Sequence, residues 1–266
     1  MPDLLHHRLH GDAARPPALL LIHPLGATLD LWNGCLPAWT QRFTCLALDL
    51  RSAGASPPGK APGLDRHVED LETLRIALGI DAIVPIGCAM GGMVAAAYAA
   101  RHPERVSALV ISNPTPRSSE AGRAMLTARA EVVRAGGMAA ILPAAVERPF
   151  EAQPRDARYD RYLDAFTAQD AQAYAEAALG FASADASADL ARVRCPVLLV
   201  AGRHDLLLPL EQAEATRALL PPGARLEIDE VGAHFLPYQC PETFAARVLN
   251  FLPQAASHTR TLENGR

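Results

Sequence analysis

Hydrophobic positions along this chain collect into short unbroken runs bounded by turn residues. Between the runs they thin out to a spacing of three and four. The runs fall at 18–22, 43–48, 82–86, 108–111 and 197–201. Several lack the apolar–polar alternation of a half-exposed strand, which predicts parallel strands covered on both faces. Leu64, Val68, Leu71, Leu74 and Leu78 trace one buried helical stripe, with Asp65, Arg66, Glu69 and Glu72 on its wet side. Residues 91–102 read as a helix of small side chains able to lie close on a sheet. Two further helices, 209–220 and 241–252, flank the strand-like segment 225–228. Alternation of this kind predicts an α/β fold with a mostly parallel central sheet flanked by helices, its site at the carboxyl ends of the strands.

One interval breaks the rhythm. From 114 to 189 the chain is rich in Ala and Arg, reads as helical throughout and offers no strand. Its apolar residues are too diluted for an independent core, so it is expected to be an inserted helical cap. Residues 1–113 and 190–253 then form the core, and the polar stretch 254–266 is expected to be a flexible tail.

Composition narrows the function classes. Half of the 266 residues are hydrophobic, and the formal charge is −4 with no basic stripe, which speaks against nucleic acid as a partner. The five cysteines are scattered, with no C-x-x-C pair, against a disulfide framework or a zinc site. No apolar segment suits a signal peptide or a membrane span, so the expectation is a cytoplasmic protein with no membrane partner.

The most informative stretch is Ile86-Gly87-Cys88-Ala89-Met90-Gly91-Gly92, where a strand runs into a helix. Hydrolases use such a sharp turn to expose a nucleophile, and the turn demands small residues two before and two after it. Cys88 fails that test, because Ile86 and Met90 are bulky. Ala89 passes it, with Gly87 before and Gly91 after. The nucleophile position is therefore held by a methyl group. Downstream, Asp205 follows the strand 197–201 and can orient an imidazole. His234, between the last strand and the last helix, completes the chain order nucleophile, acid, histidine. The other histidines, with His204 the nearest competitor, read as surface or loop residues. Upstream, Ile22-His23-Pro24-Leu25-Gly26 opens a loop whose Leu25 amide, with that of Met90, can hold a developing oxyanion.

Taken together, these motifs resemble the α/β-hydrolase fold superfamily from Leu19 to Leu252. Trp32 and the segment Asp49-Leu50-Arg51-Ser52-Ala53-Gly54-Ala55-Ser56 add to the likeness, although Ser52 and Ala53 depart from the D-x-R-G-x-G-x-S pattern. Within the superfamily the chain is most similar to the 3-oxoadipate enol-lactonase group of esterases and lactonases. That likeness rests on the Pro-Leu-Gly loop, Met90-Gly91-Gly92 and Arg101-His102-Pro103-Glu104-Arg105-Val106. It implies a serine-type hydrolase of a small carboxylic ester or lactone that needs no cofactor and no metal. Its catalytic set is the Ala89 position, Asp205 and His234, with Leu25 and Met90 as oxyanion donors.

Alanine in place of the family's serine implies a form that binds its substrate but is inactive or nearly so. Because the rest of the set is intact, we read it as a deliberate Ser→Ala, substrate-trapping replacement. The alternatives are a natural non-catalytic binder of small ligands and a C–C bond hydrolase using the same triad. In the cap, Arg117, Arg123, Arg129, Arg134, Arg148 and Arg155 are candidates to bring a guanidinium to the pocket. Phe150, Tyr159, Tyr162, Phe166, Tyr174 and Phe181 are candidates for its roof. Pro85, inside a strand, is an anomaly best tolerated near a strand end.

Overall fold

The unbroken apolar runs become strands of one seven-stranded sheet. The computed structural model describes residues 3–12 and 17–263. In chain order the strands are β1 (His7–His10), β2 (Ala18–Ile22), β3 (Cys45–Leu48), β4 (Ile83–Cys88), β5 (Leu109–Ser112), β6 (Val197–Gly202) and β7 (Arg225–Asp229). Their spatial order is β1-β3-β2-β4-β5-β6-β7. Only β1 runs antiparallel to its neighbour; all other pairs are parallel. Every residue of β2 to β6 is buried, as expected for strands covered on both sides. β1 carries no apolar run, and as a four-residue, half-exposed edge strand it gave the hydrophobic pattern nothing to show.

The strand order places the site. From β2 the chain moves outward to β3, then returns to add β4 on the other side of β2. The loops leaving β2 and β4 therefore open a crevice where the winding reverses, the place where open α/β sheets bind ligands. In register, Ile22 at the end of β2 lies beside Gly87. The loop beginning at His23 and the turn at Ala89 are thus neighbours although more than sixty residues separate them in sequence.

Pro85 lies inside β4, in the middle of the sheet rather than near a strand end. Its absent N–H is accommodated by a mismatch with the next strand. Ile83 pairs with Val106, yet Ile86 pairs with Val110, so β4 advances three residues while its neighbour advances four. A bulge of this kind is where a sheet tolerates proline.

The helices are α1 (Leu36–Trp39), α2 (Leu64–Ala77), α3 (Met90–Arg101), α4 (Glu120–Gly136), α5 (Ala144–Glu147), α6 (Ala157–Thr167), α7 (Ala171–Ala182), α8 (Ser187–Leu190), α9 (Leu210–Leu219), α10 (Leu236–Gln239) and α11 (Pro241–Glu263). The small-residue helix α3 lies against β2, β4 and β5, its residues from Gly91 to Ala99 all buried. Trp32, Trp39 and Phe244 form an aromatic cluster that ties α1 to α11. α11 continues helically beyond Leu252, and residues 264–266 of the expected tail lie outside the described residues.

Helices α4 to α8 all fall between β5 and β6. Three of them start with side-chain caps: Ser119, Asp156 and Asp170 accept from the amides of Gly122, Arg158 and Ala173. Leu126, Ala130 and Val133 form the buried stripe by which α4 meets α7. Two bonds fasten this layer to the β2 loop, from Tyr162 Oη and Gln169 Nε2 to the Gly26 carbonyl, each 3.0 Å. α7 also presents Gly180 to the backbone of Pro62, where a Cβ would sit 2.7 Å from the Pro62 carbonyl carbon. Gly180→Ala is therefore expected to destabilise the protein by about 1–3 kcal/mol, measured as a lower urea midpoint at unchanged slope.

Candidate active site

Sterics fix the shape of the turn between β4 and α3. A Cβ on Gly87 would come within 2.6 Å of the Gly92 Cα, and one on Gly91 would lie 2.5 Å from the carbonyl oxygens of Ile22 and His23. Only glycine lets the turn lie this close to β2. Ala89, at the apex, has φ +49° and ψ −115°, a conformation costing a non-glycine residue of order 1–3 kcal/mol. It is held there by its own N–H donating to the Ser112 carbonyl (2.8 Å) and its carbonyl accepting from Gly92 (2.9 Å). The Met90 amide begins α3 and so has no intrahelical acceptor.

The loop after β2 is braced from inside by His23. Its Nε2 accepts from the Leu50 amide at 2.9 Å and its Nδ1 donates to the Pro24 carbonyl at 2.8 Å. Burial lowers the His23 pKa, with the Pro24 bond and Asp49 opposing, so the ring stays neutral as this donor–acceptor pattern requires. The Ala27 amide closes a turn on the Pro24 carbonyl, and Gly26 takes φ +80° inside it. That closure leaves the Leu25 N–H outside the turn's hydrogen bond. Leu25 and Met90 both line the cavity next to Ala89.

His234 Nδ1 lies 2.9 Å from Asp205 Oδ2 and 3.1 Å from Oδ1. The Asp205 carboxylate is buried, yet four groups donate to it. The Leu207 and Leu208 amides reach Oδ1 at 2.8 and 2.9 Å, while Asn113 Nδ2 reaches Oδ2 at 2.9 Å beside the imidazole. Burial alone would push this carboxyl up. The charge and hydrogen bond of His234, with the two amides, outweigh it and hold the pKa below the ordinary carboxylate value. Anchored through Nδ1, His234 lines the cavity with the remainder of its ring. A base, two main-chain donors and a strained apex thus meet at one cavity, a set able to polarise a carbonyl and activate a hydroxyl or water against it.

The cavity measures about 160 Å³. Tyr162, Phe166 and Tyr174 from α6 and α7 form part of its wall. Of the other candidate roof residues, Phe150 and Tyr159 pack on one another, and Phe181 stacks on His67. Among the candidate arginines, Arg117 and Arg129 reach the cavity. Arg134 pairs with Glu176, and Arg155 lies over the Tyr159 ring.

Other sequence expectations need correction. His67 is neither a surface nor a loop residue but buried on α2, and His23, in a loop as expected, is buried too. His67 fills core space against Phe181, and burial pushes its pKa down to about 4. His204 is absent from the cavity wall. Cys88 is fully buried behind the turn, its thiol pKa raised by that burial, which leaves it no thiolate to act as nucleophile. Asn113 is a site residue that the sequence pattern does not single out. It occupies a positive φ of +50° at the end of β5 and also donates to the Ala233 carbonyl at 3.0 Å, bridging the Asp205 and His234 loops. Its one sequence signal is the Ser-Asn-Pro break after a strand.

Residues 17–141 match the α/β hydrolase fold family. The RutD protein of Caulobacter sp. (strain K31), whose name proposes a carbamate hydrolase, is 30% identical over 272 residues, covering 96% of this chain and 98% of that protein. Its counterpart in Escherichia coli O81 (strain ED1a) is 28% identical over 92% of this chain and 94% of that protein. Among solved structures, the enol-lactonase from Burkholderia xenovorans LB400 superimposes with a TM-score of 0.86 at 26% identity, covering 94% of this chain and 96% of that one. A hydrolase from Pseudomonas aeruginosa PA01 gives 0.84 at 28% identity, covering 92% and 93%.

Two outcomes follow from the geometry. Ala89→Gly should relieve the strained apex by more than the added chain entropy removes, raising stability by about 1 kcal/mol in urea unfolding. Asp205→Asn should destabilise the protein at neutral pH. Because the folded-state pKa is depressed, the carboxylate's contribution is complete above the unfolded value near 4 and fades as pH drops through the lower folded value. The difference in urea midpoint between the two proteins should therefore shrink below about pH 4.

Proposed function

The chain belongs to the α/β-hydrolase fold family, and from that premise we propose that it is a hydrolase of a small carboxylic ester, lactone or carbamate in a nucleophile-less form. Ala89 stands where a serine hydroxyl would attack, and the form holds substrate while turning it over slowly or not at all. The observation that carries this reading is the His234–Asp205 pair at 2.9 Å, beside a strained apex and on the same cavity as the Leu25 and Met90 amides. Lactone and carbamate enter through the names of the enol-lactonase and RutD relatives.

With serine at position 89, Oγ would add to the carbonyl as His234 takes its proton, and Asp205 would stabilise the imidazolium. The two amides would hold the oxyanion, and water activated by His234 would release the acyl group. With alanine one route is left. His234 removes a proton from water as the oxygen adds to the carbonyl, and the imidazolium returns that proton to the leaving group. Sites of this type that lack a triad member still exceed uncatalysed hydrolysis by roughly 10³–10⁴-fold.

Ala89→Ser is the decisive test. It should raise kcat/KM on p-nitrophenyl acetate by about 10³-fold or more and introduce a pre-steady-state burst that the Ala89 protein lacks. Adding His234→Ala should abolish both. A serine form inert across a panel of esters, lactones and carbamates would instead make the protein a binder of small ligands.

A further inference from the structure

The cavity beside Ala89 carries positive charge that its own walls do not neutralise. Arg117 and Arg129 line it, and among the described residues no Asp or Glu does. Asp205 is engaged behind His234. Arg117 is exposed and sits across a β-bridge from Asp185, whose carboxyl feels its charge. Arg129 is placed differently. It projects from the face of α4 that also brings Gly122, Met125 and Leu126 to the cavity, and it is half-buried. Nη1 donates to the Tyr174 hydroxyl at 3.2 Å. Burial raises the Tyr174 pKa, so that hydroxyl stays protonated and accepts the bond without cancelling the charge. Among the described residues, no carboxylate lies within ion-pair distance of Arg129. A guanidinium has five N–H donors in a planar fork, and partial burial removes much of the water that would otherwise satisfy them.

We propose that Arg129 is an anion subsite, and that the molecule taken by this cavity is a short acyl compound bearing a carboxylate at the end remote from its scissile carbonyl. The carboxylate pairs with the Arg129 guanidinium while the carbonyl lies against Ala89, His234 and the Leu25 and Met90 amides. Size agrees with this. A cavity of about 150 Å³ admits a benzene-sized guest, and this one measures about 160 Å³. It suits a dicarboxylic half-ester of four or five carbons rather than a long neutral acyl chain. The scissile carbonyl in this inference rests on the hydrolase reading above, whereas the carboxylate subsite is measurable by binding alone.

The test uses the Ala89 protein as it stands, titrated calorimetrically with monomethyl succinate and with dimethyl succinate. The half-ester should bind more tightly than the neutral diester by roughly 10- to 100-fold. Arg129→Met should erase the preference for the half-ester over the diester, Arg129→Lys should keep part of it, and Arg117→Met should keep nearly all. Should Arg129→Met fail to fold, Arg129→Gln, which retains a donor for the Tyr174 hydroxyl, carries the same expectation. Equal affinities, no binding of the half-ester, or a preference that survives loss of Arg129 would overturn the subsite. The two readings fail separately. Selective capture alongside an inert Ala89→Ser protein would sink the hydrolase alone. Indifferent turnover of anionic and neutral esters by Ala89→Ser would sink the subsite alone.

Discussion

The whole site depends on how closely the β4–α3 turn lies against the end of β2. A side chain on Gly91 would meet the Ile22 and His23 carbonyls, one on Gly87 the turn's own backbone and one on Gly92 the Ile111 side chain, and residue 89 sits between them at positive φ. The same approach sets the start of α3 beside the loop that His23 braces, so the Met90 and Leu25 amides come to one cavity. Sheet topology supplies the neighbours; the glycines supply the distance. A wider turn would separate the two amides, and no movement of His234 could compensate, because its position is set from a different pair of strands.

Electrostatically the site is divided by the His234 ring. On one side is a buried carboxylate with all its charge taken up by Leu207, Leu208, Asn113 and the imidazole itself. On the other is a cavity with no acidic side chain on its wall among the described residues. Such a division keeps Asp205 ionised without exposing it to ligand and fixes which ring nitrogen is tied down. Asn113 is central here, since it binds both the carboxylate and the carbonyl of the residue before His234. Its strained backbone holds that amide across a span of ninety-two residues.

Those features divide clearly by how far they were legible in the sequence. The buried parallel strands were legible because an unbroken apolar run between turn residues suits a strand covered on both faces. The turn register was legible because crowding excludes bulky neighbours at two fixed offsets from the apex, which separates Ala89 from Cys88 without coordinates. Asp205 and His234 could be placed by order along the chain. Other features left little or no trace. β1 is a polar edge strand defined by its partner, not by its residues. His23 is buried by a loop folding over it, and Asn113 matters only because β5 ends beside β6. The arginines between β5 and β6 are evenly strewn, and which of those on α4 faces inward depends on that helix's azimuth, set by Leu126, Ala130 and Val133 packing on α7. The bulge that accommodates Pro85 is equally a property of two strands together.

Alanine at the apex is itself informative. A turn with no use for a side chain at position 89 would adopt glycine, which reaches φ +49° without strain. Glycine would also have more conformational freedom to lose on folding. Alanine keeps a Cβ at the apex, and neighbours that tolerate one strained conformation hold the peptide that carries the Met90 N–H in a single orientation. That strain, of order 1–3 kcal/mol, is thus coupled to the direction of the Met90 amide. The strained turn thus sets the Met90 amide on the same small cavity that Leu25 and His234 line.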